Sequence, residues 1–276
     1  MTDRPLEEQV LHTVDQGVAW ITMNRPEAGN ALTPAQRNHM IALLERASAD
    51  LAVRAVVITA AGERHFCTGA DLRVDRPEEI PRPAGAPERA PNFVARGIIV
   101  GAQRLVAAIL DCEKPVIAAV NGTAAGIGAH VAFASDLVIA SETARFIEVF
   151  VRRGIAPDGG GAYLLARLTG MQKAKEMVFF GDDLPAAEAE RFGLVNRVVP
   201  AAELVDTARA WATRLAAGPT IAIGHAKRLL NRSLDVDRGT AFMDEAYAQE
   251  VIMTSQDANE GVAAFVERRE TRFVGW

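Results

Sequence analysis

The stretch RRGIAPDGGGAYLLARLTG, residues 152–170, sets one carboxylate, Asp158, behind a proline and ahead of three glycines and an apolar run that reads as a helix. An Asp in that place has two roles open to it. It can cap the helix by accepting from the first backbone N–H groups, or it can carry a proton between atoms of a substrate. His130 sits early on the small-residue segment AAGIGAHVAFA. It too has two readings, a structural or pocket-lining side chain and a second acid/base group. Two glycine-containing turns could supply the electrostatic partner of a proton transfer. HFCTGADL (65–72) follows the β-branched run RAVVITA, and NGTAAGIGAH (121–130) follows KPVIAAV. In the first, glycine lets the chain turn sharply and expose N–H groups, with Asp71 as a turn cap as the plainer alternative. The second enters a helix, whose opening N–H groups near Gly126, Ile127 and Gly128 have no intrahelical partner. Two converging N–H donors are the usual way to hold a developing oxyanion.

Several other chemistries fit poorly. Gly126 and Gly128 begin a G-x-G-x-x-G pattern, but the third required position is Val131, and no Gly-Lys-Ser/Thr follows, so neither dinucleotide nor P-loop binding is expected. Cys67 and Cys112 make neither a disulfide framework nor a metal site. They read as reduced thiols of a cytoplasmic protein. The formal net charge of −5, without a long basic tract, argues against a nucleic-acid partner. No apolar run approaches about 20 residues, so a membrane span is not expected. The start, MTDRPLEEQVLH, lacks the apolar core of a secretory signal. His12, His39 and His225 receive no role.

The elements that must position these residues are legible as alternating patterns. VAWITM, RAVVITA, KPVIAAV and SDLVIAS read as strands. LTPAQRNHMIALLERASAD reads as a helix with Thr33 as N-cap and Pro34 at the first helical position. Strands alternating with helices predict an α/β layered fold with parallel pairing. Residues 73–92 break the pattern. Five of the thirteen prolines fall there, Pro77, Pro81, Pro83, Pro87 and Pro91, so a long loop is expected. Beyond Pro200 the chain turns helical, which divides it into a core over residues 1–200 and a helical region over 201–276.

In combination, MNRPEAGNALT, FCTGADL, KPVIAAVNGTAAGIGAH, SDLVIASETARF, GIAPDGGGAYLL, GLVNRVVP and EGVAAFVERRE resemble the crotonase superfamily, the enoyl-CoA hydratase/isomerase proteins, over nearly the whole chain. The resemblance implies a spiral of ββα units, a helical C-terminal trimerisation region, and a homotrimer or dimer of trimers. It implies an acyl-CoA thioester as substrate, with coenzyme A as part of that substrate and no separate cofactor or metal. Carried over by position, the backbone N–H groups of Ala70 and Ile127 would form the oxyanion hole. Ala70, Asp71, Leu72 and Arg73 would line the CoA and thioester site, with Arg25 and Ala28 toward the adenine and phosphate end. For Arg25 the plainer alternative is a surface charge after a turn.

The departures from the family pattern point to a reaction. Hydratases of the family use two glutamates to ionise a water; at those positions this chain has His130 and Phe150. Glu148 is near in sequence, yet an extended segment would turn it to the same face as Phe150 and a helical one would separate them. Asp158 matches a position where dienoyl-CoA and phenylacetyl-pathway isomerases carry an Asp. The expectation is therefore isomerisation of a C=C bond through a thioester enolate, with Asp158 as acid and base and an apolar wall including Phe150 raising its pKa. The alternatives are water addition to a 2-enoyl-CoA, hydrolysis using His130 with Asp158, and acyl-CoA binding without turnover. The Pro-rich loop is expected to form one wall of the acyl pocket.

Overall fold

The computed structural model describes residues 4–73, 83–87 and 91–276. Most of the Pro-rich loop, and with it the expected pocket wall, lies outside them. The described strands are β1 (Val10–Asp15), β2 (Val18–Met23), β3 (Ala55–Ala60), β4 (His65–Cys67), β5 (Val116–Val120), β6 (Thr123–Ala125), β7 (Leu137–Ser141), β8 (Arg145–Ile147), β9 (Leu184–Pro185) and β10 (Arg197–Val199). They form a large sheet in the order β1-β2-β3-β5-β7-β10 and a small one in the order β4-β6-β8-β9. Pairing is parallel except for β1 with β2 and β8 with β9. Each turn of the chain leaves one strand in the large sheet and the next in the small one: β3 then β4, β5 then β6, β7 then β8. This is the spiral of ββα units that the resemblance implied.

The apolar runs read as strands because both faces of the large sheet are covered. Side chains alternate along a strand. Val56 and Ile58 of β3 therefore enter one apolar cluster, with Phe66, Phe146 and Leu105, while Ala55 and Val57 enter another on the far face. The far face is closed by a helix from beyond residue 200.

The helices are α1 (Leu6–Gln9), α2 (Pro34–Ala49), α3 (Phe93–Ile98), α4 (Arg104–Leu110), α5 (Ile127–Ala134), α6 (Gly161–Thr169), α7 (Met171–Phe180), α8 (Ala186–Arg191), α9 (Leu204–Ala216), α10 (Thr220–Arg232), α11 (Arg238–Ile252) and α12 (Gln256–Glu267). The far-face helix is α9. Its Leu204, Ala208, Ala212 and Ala216 recur every fourth residue and pack on Val18, Val57, Ile117 and Ile139. A buried ammonium pins α10 to the core: Lys227 Nζ donates to the Ile109 carbonyl and lies 2.8 Å from Asp136 Oδ2. On α10, α11 and the α10–α11 connection, Leu230, Leu234, Phe242 and Tyr247 are exposed.

Helix α2 starts where Thr33-Pro34 predicts. Thr33 Oγ1 accepts from Gln36 N and Gln36 Oε1 accepts from Thr33 N, a complete capping box. Thr33→Ala is expected to cost about 1 kcal/mol, measured as a lower midpoint of urea unfolding with an unchanged slope.

One expectation needs correction. Residues Phe93–Leu110 form one continuous helical run of 18 residues with mean hydropathy 1.7, long and apolar enough by length and composition to cross a membrane. The run includes Arg96 and Arg104. Its second half is a core helix, with Leu105, Val106 and Ile109 buried, packed between α2 and α5. Between α3 and α4 it widens to a π-helical turn over Ile99–Gln103, a form found mostly as a single inserted turn, often beside functional sites.

Candidate active site

Three neighbouring parallel strands of the small sheet, β4, β6 and β8, end side by side. The carboxyl ends of parallel strands are where α/β sheets place their ligands. Each strand here delivers a group there. The turn after β4 holds Gly69 and Ala70, the turn after β6 holds Gly126 and Ile127, and Glu148 follows β8 directly. The first two turns abut: a β-carbon added to Gly69 would lie 3.4 Å from the Ala125 carbonyl oxygen, and one added to Gly126 would lie 3.9 Å from Gly69 Cα. Gly126, at φ +54° and ψ −126°, occupies backbone space that side chains rarely enter, and this lets α5 start at once.

The two amides expected as oxyanion donors emerge from this junction. Leu32 N donates to the Gly69 carbonyl and Asp71 N to the Leu32 carbonyl, both at 2.9 Å, the two bonds of a parallel bridge between Leu32 and Ala70. In that geometry the N–H of Ala70 points away from Leu32, toward the β6 side. Ile127 is the first residue of α5, so its N–H has no helical acceptor. Gly128 lets α5 lie directly on β4. A β-carbon there would fall onto the Cys67 carbonyl oxygen and stand 2.6 Å from Cys67 Cβ. Burial pushes the Cys67 thiol up to about 12, so it stays a neutral filler.

Around these amides the structure gathers His130, Glu148, Phe150 and Asp158. Glu148 is fully buried, and both its oxygens lie near His130 Nε2, at 3.1 and 3.2 Å. The chain turns helical at Phe150 (φ −59°, ψ −46°). As a result Glu148 meets the edge of the imidazole while the Phe150 ring stacks on its face, with centroids 5.3 Å apart and planes at 14°. The hydrolase alternative paired His130 with Asp158. The carboxylate hydrogen-bonded to His130 is Glu148 instead, a partnership that sequence reasoning missed. Glycines complete the enclosure: a β-carbon at Gly159 would come within 2.8 Å of His130 Nδ1, and one at Gly161 would overlap Nε2.

Asp158 does not cap a helix. The N-cap of α6 is Gly160, and no side chain bonds that helix start, so the capping reading falls. The Asp158 carbonyl instead accepts from Gln103 Nε2 at 3.1 Å, which ties the turn to the π-helical segment. Its half-buried carboxyl has a pKa raised from the ordinary Asp value. Burial is the main cause, the Glu148 charge adds to it, and His130 partly opposes it.

Of the residues expected at the CoA end, Arg25 is not a surface charge. It is buried, and its guanidinium donates to Asp71 Oδ2, the Ala31 carbonyl and Gln36 Oε1 at 3.1–3.2 Å. Asp71 also accepts from the Arg73 guanidinium at 3.0 and 3.1 Å and from Arg73 N. These hydrogen bonds, those from Arg73 foremost, hold its carboxyl below the usual range despite burial. Arg25 and Asp71 thus brace the turn that carries Ala70. Leu72 and the Arg73 side chain are exposed, and Ala28 ends a short 3-10 turn, half-buried. Among the described residues no group of three His, Cys, Asp or Glu side chains is arranged to hold a metal.

Comparison with known proteins accounts for this architecture along the chain's length. The family model described as enoyl-CoA hydratase/isomerase matches residues 13–275. A Rhodobacter capsulatus protein named "Probable enoyl-CoA hydratase" is 37% identical over 266 residues, covering 96% of this chain and 98% of its own. The 1,2-epoxyphenylacetyl-CoA isomerase of Escherichia coli is 35% identical over 271 residues, covering 97% and 99%. The crystal structure of an enoyl-CoA hydratase from Bacillus anthracis superposes with a TM-score of 0.86 at 31% identity, over 97% of this chain and 100% of that one. With paired turns at the ends of β4 and β6 and a match that runs through α12, the chain belongs to the enoyl-CoA hydratase/isomerase family.

Proposed function

We propose that the protein moves a C=C bond along the acyl chain of a CoA thioester. The observation that carries this reading is Asp158: a half-buried carboxyl, free of capping duty, beside a His130–Phe150 stack that occupies both positions where family hydratases hold water-activating glutamates. The thioester oxygen sits between the amides of Ala70 and Ile127. These donors stabilise the enolate formed when Asp158 removes a proton from carbon. Asp158 then returns the proton to a different carbon. One carboxyl serves both transfers, whereas water addition needs a base and an acid placed on the water. The steps use no group beyond the CoA that the substrate brings. Arg73 and Leu72 are the exposed members of the turn and suit the CoA end. The exposed apolar side chains of α10 and α11 support assembly as a trimer or a dimer of trimers.

Water addition is the second reading, favoured by the hydratase names of close relatives. A 3-enoyl-CoA is expected to gain conjugated thioester absorbance with the enzyme and a 2,5-dienoyl-CoA, already conjugated at C2, to shift its absorbance as a double bond moves, while crotonyl-CoA keeps its absorbance and no free CoA appears. Loss of crotonyl-CoA absorbance without any double-bond shift would replace isomerisation by hydration. Because burial raises the Asp158 pKa, the acid limb of kcat/KM is expected to lie above the ordinary Asp value of about 3.9, with activity rising as Asp158 ionises.

A further inference from the structure

Glu148 takes no step in the mechanism proposed above, yet its carboxylate is wholly buried. Carboxylates are seldom buried without a paired duty. Among the described residues its side chain has one hydrogen-bond partner, His130 Nε2. The other imidazole nitrogen, Nδ1, is buried without a partner among the described residues. It faces the Asp158–Gly159 turn, where a β-carbon on Gly159 would approach to 2.8 Å.

We propose that Glu148 is a positioning residue that holds the hydrogen of His130 on Nε2 and so turns the Nδ1 lone pair to the Asp158 side of the ring. An ionised carboxylate only accepts, so the nitrogen it meets must carry hydrogen. Nε2 therefore carries the hydrogen of the neutral ring, and Nδ1 keeps its lone pair. Among the described residues the titratable groups around the ring are Glu148, at the end of β8, and Asp158, on the turn before α6. The Phe150 ring covers one face and the Ile127 side chain packs nearby, both apolar. The kinetic consequence rests on the proposed isomerisation. When Asp158 has taken the substrate proton it has an O–H to donate, and the Nδ1 lone pair is a buried acceptor facing its turn. If the ring were free to present Nδ1–H instead, that acceptor would be lost and a donor would face an already protonated carboxyl.

The test uses the full chain labelled with nitrogen-15 and side-chain histidine NMR. In the wild type, the Nε2 signal of His130 is expected to be that of a protonated nitrogen and the Nδ1 signal that of a lone-pair nitrogen. In Glu148→Gln the amide can accept or donate, so both tautomers are expected. A wild-type Nε2 with lone-pair character would overturn the proposal. On the isomerase substrate, Glu148→Gln is expected to lower kcat about 10- to 100-fold with KM changed by less than about twofold. The pH profile should alter, and Glu148→Asp should recover part of the loss while Glu148→Leu recovers none. An unchanged kcat and pH profile in Glu148→Gln would overturn the role in turnover. The wild-type spectrum needs neither a folded variant nor turnover, so failure of the isomerase reading would be seen separately from failure of this one.

Discussion

Asp158→Asn is expected to abolish double-bond migration by a factor of about 10² or more while the chain folds as before. Asn keeps the size and shape of the side chain. The Gln103 contact uses the Asp158 main-chain carbonyl, and α6 is capped at Gly160 without help from a side chain. The substitution therefore removes a proton acceptor and little else. Stability should move in the opposite direction to activity. Burial raises the folded-state pKa of Asp158, so the folded protein binds a proton here more readily than the unfolded chain does. The resulting stabilisation is present below the ordinary carboxyl range and is lost as pH rises through the elevated folded value. At pH 8 the Asn variant should melt higher than the wild type, and the gap should close as the pH falls toward 4, roughly the unfolded pKa. A variant that retained full turnover on 3-enoyl-CoA would remove Asp158 from the chemistry.

Gly128→Ala is the second large effect. The added methyl would meet the Cys67 carbonyl oxygen and Cβ. One is backbone of β4 and the other the root of a buried side chain, so neither yields cheaply. Helix α5 must move off β4, and it carries the Ile127 amide with it while the Ala70 amide stays braced by Leu32 and Asp71. Losing one oxyanion donor costs about 10²- to 10³-fold in rate, and overpacking of this kind costs about 1–3 kcal/mol of stability. Both are expected, measured as kcat and as the midpoint of denaturant unfolding. Gly97→Ala is the control: nothing lies within 4 Å of its added methyl, and alanine favours the helix there, so activity and midpoint should hold or the midpoint should rise.

How much of this was legible in the sequence depends on the range of the interaction. The strands β2, β3, β5 and β7 were visible because sheets buried on both faces write continuous apolar runs. The start of α2 was visible because a capping box is a local signal. The two amide-bearing turns were visible as glycine turns after strands, though Ala70 and Ile127 themselves came from family resemblance. Contacts between distant segments were not legible. Arg25 read as a CoA contact or a surface charge, and its bracing role was hidden because its partner, Asp71, is 46 residues away. Glu148 looked displaced because strand alternation alone would turn it with Phe150; the helical turn at Phe150 puts the two on different sides of His130. That α9 would close the far face of the large sheet was also hidden, since its pattern reports an apolar stripe and not the surface it meets.

The π-helical turn at Ile99–Gln103 has a consequence for how this site can change. Such a turn holds one residue more than an α-helix needs and absorbs it locally, so the helices on either side keep their phase. Deleting one residue within it would let α3 and α4 join as one regular helix, with their faces kept and the bulge closed. Since α4 is fixed in the core through Leu105, Val106 and Ile109, the change would fall on the widened turn itself, whose Gln103 donates to the Asp158 carbonyl. The backing of the Asp158 turn is thus set by a residue count in a neighbouring helix, and a single-codon deletion there would withdraw it without altering Asp158, Ala70 or Ile127.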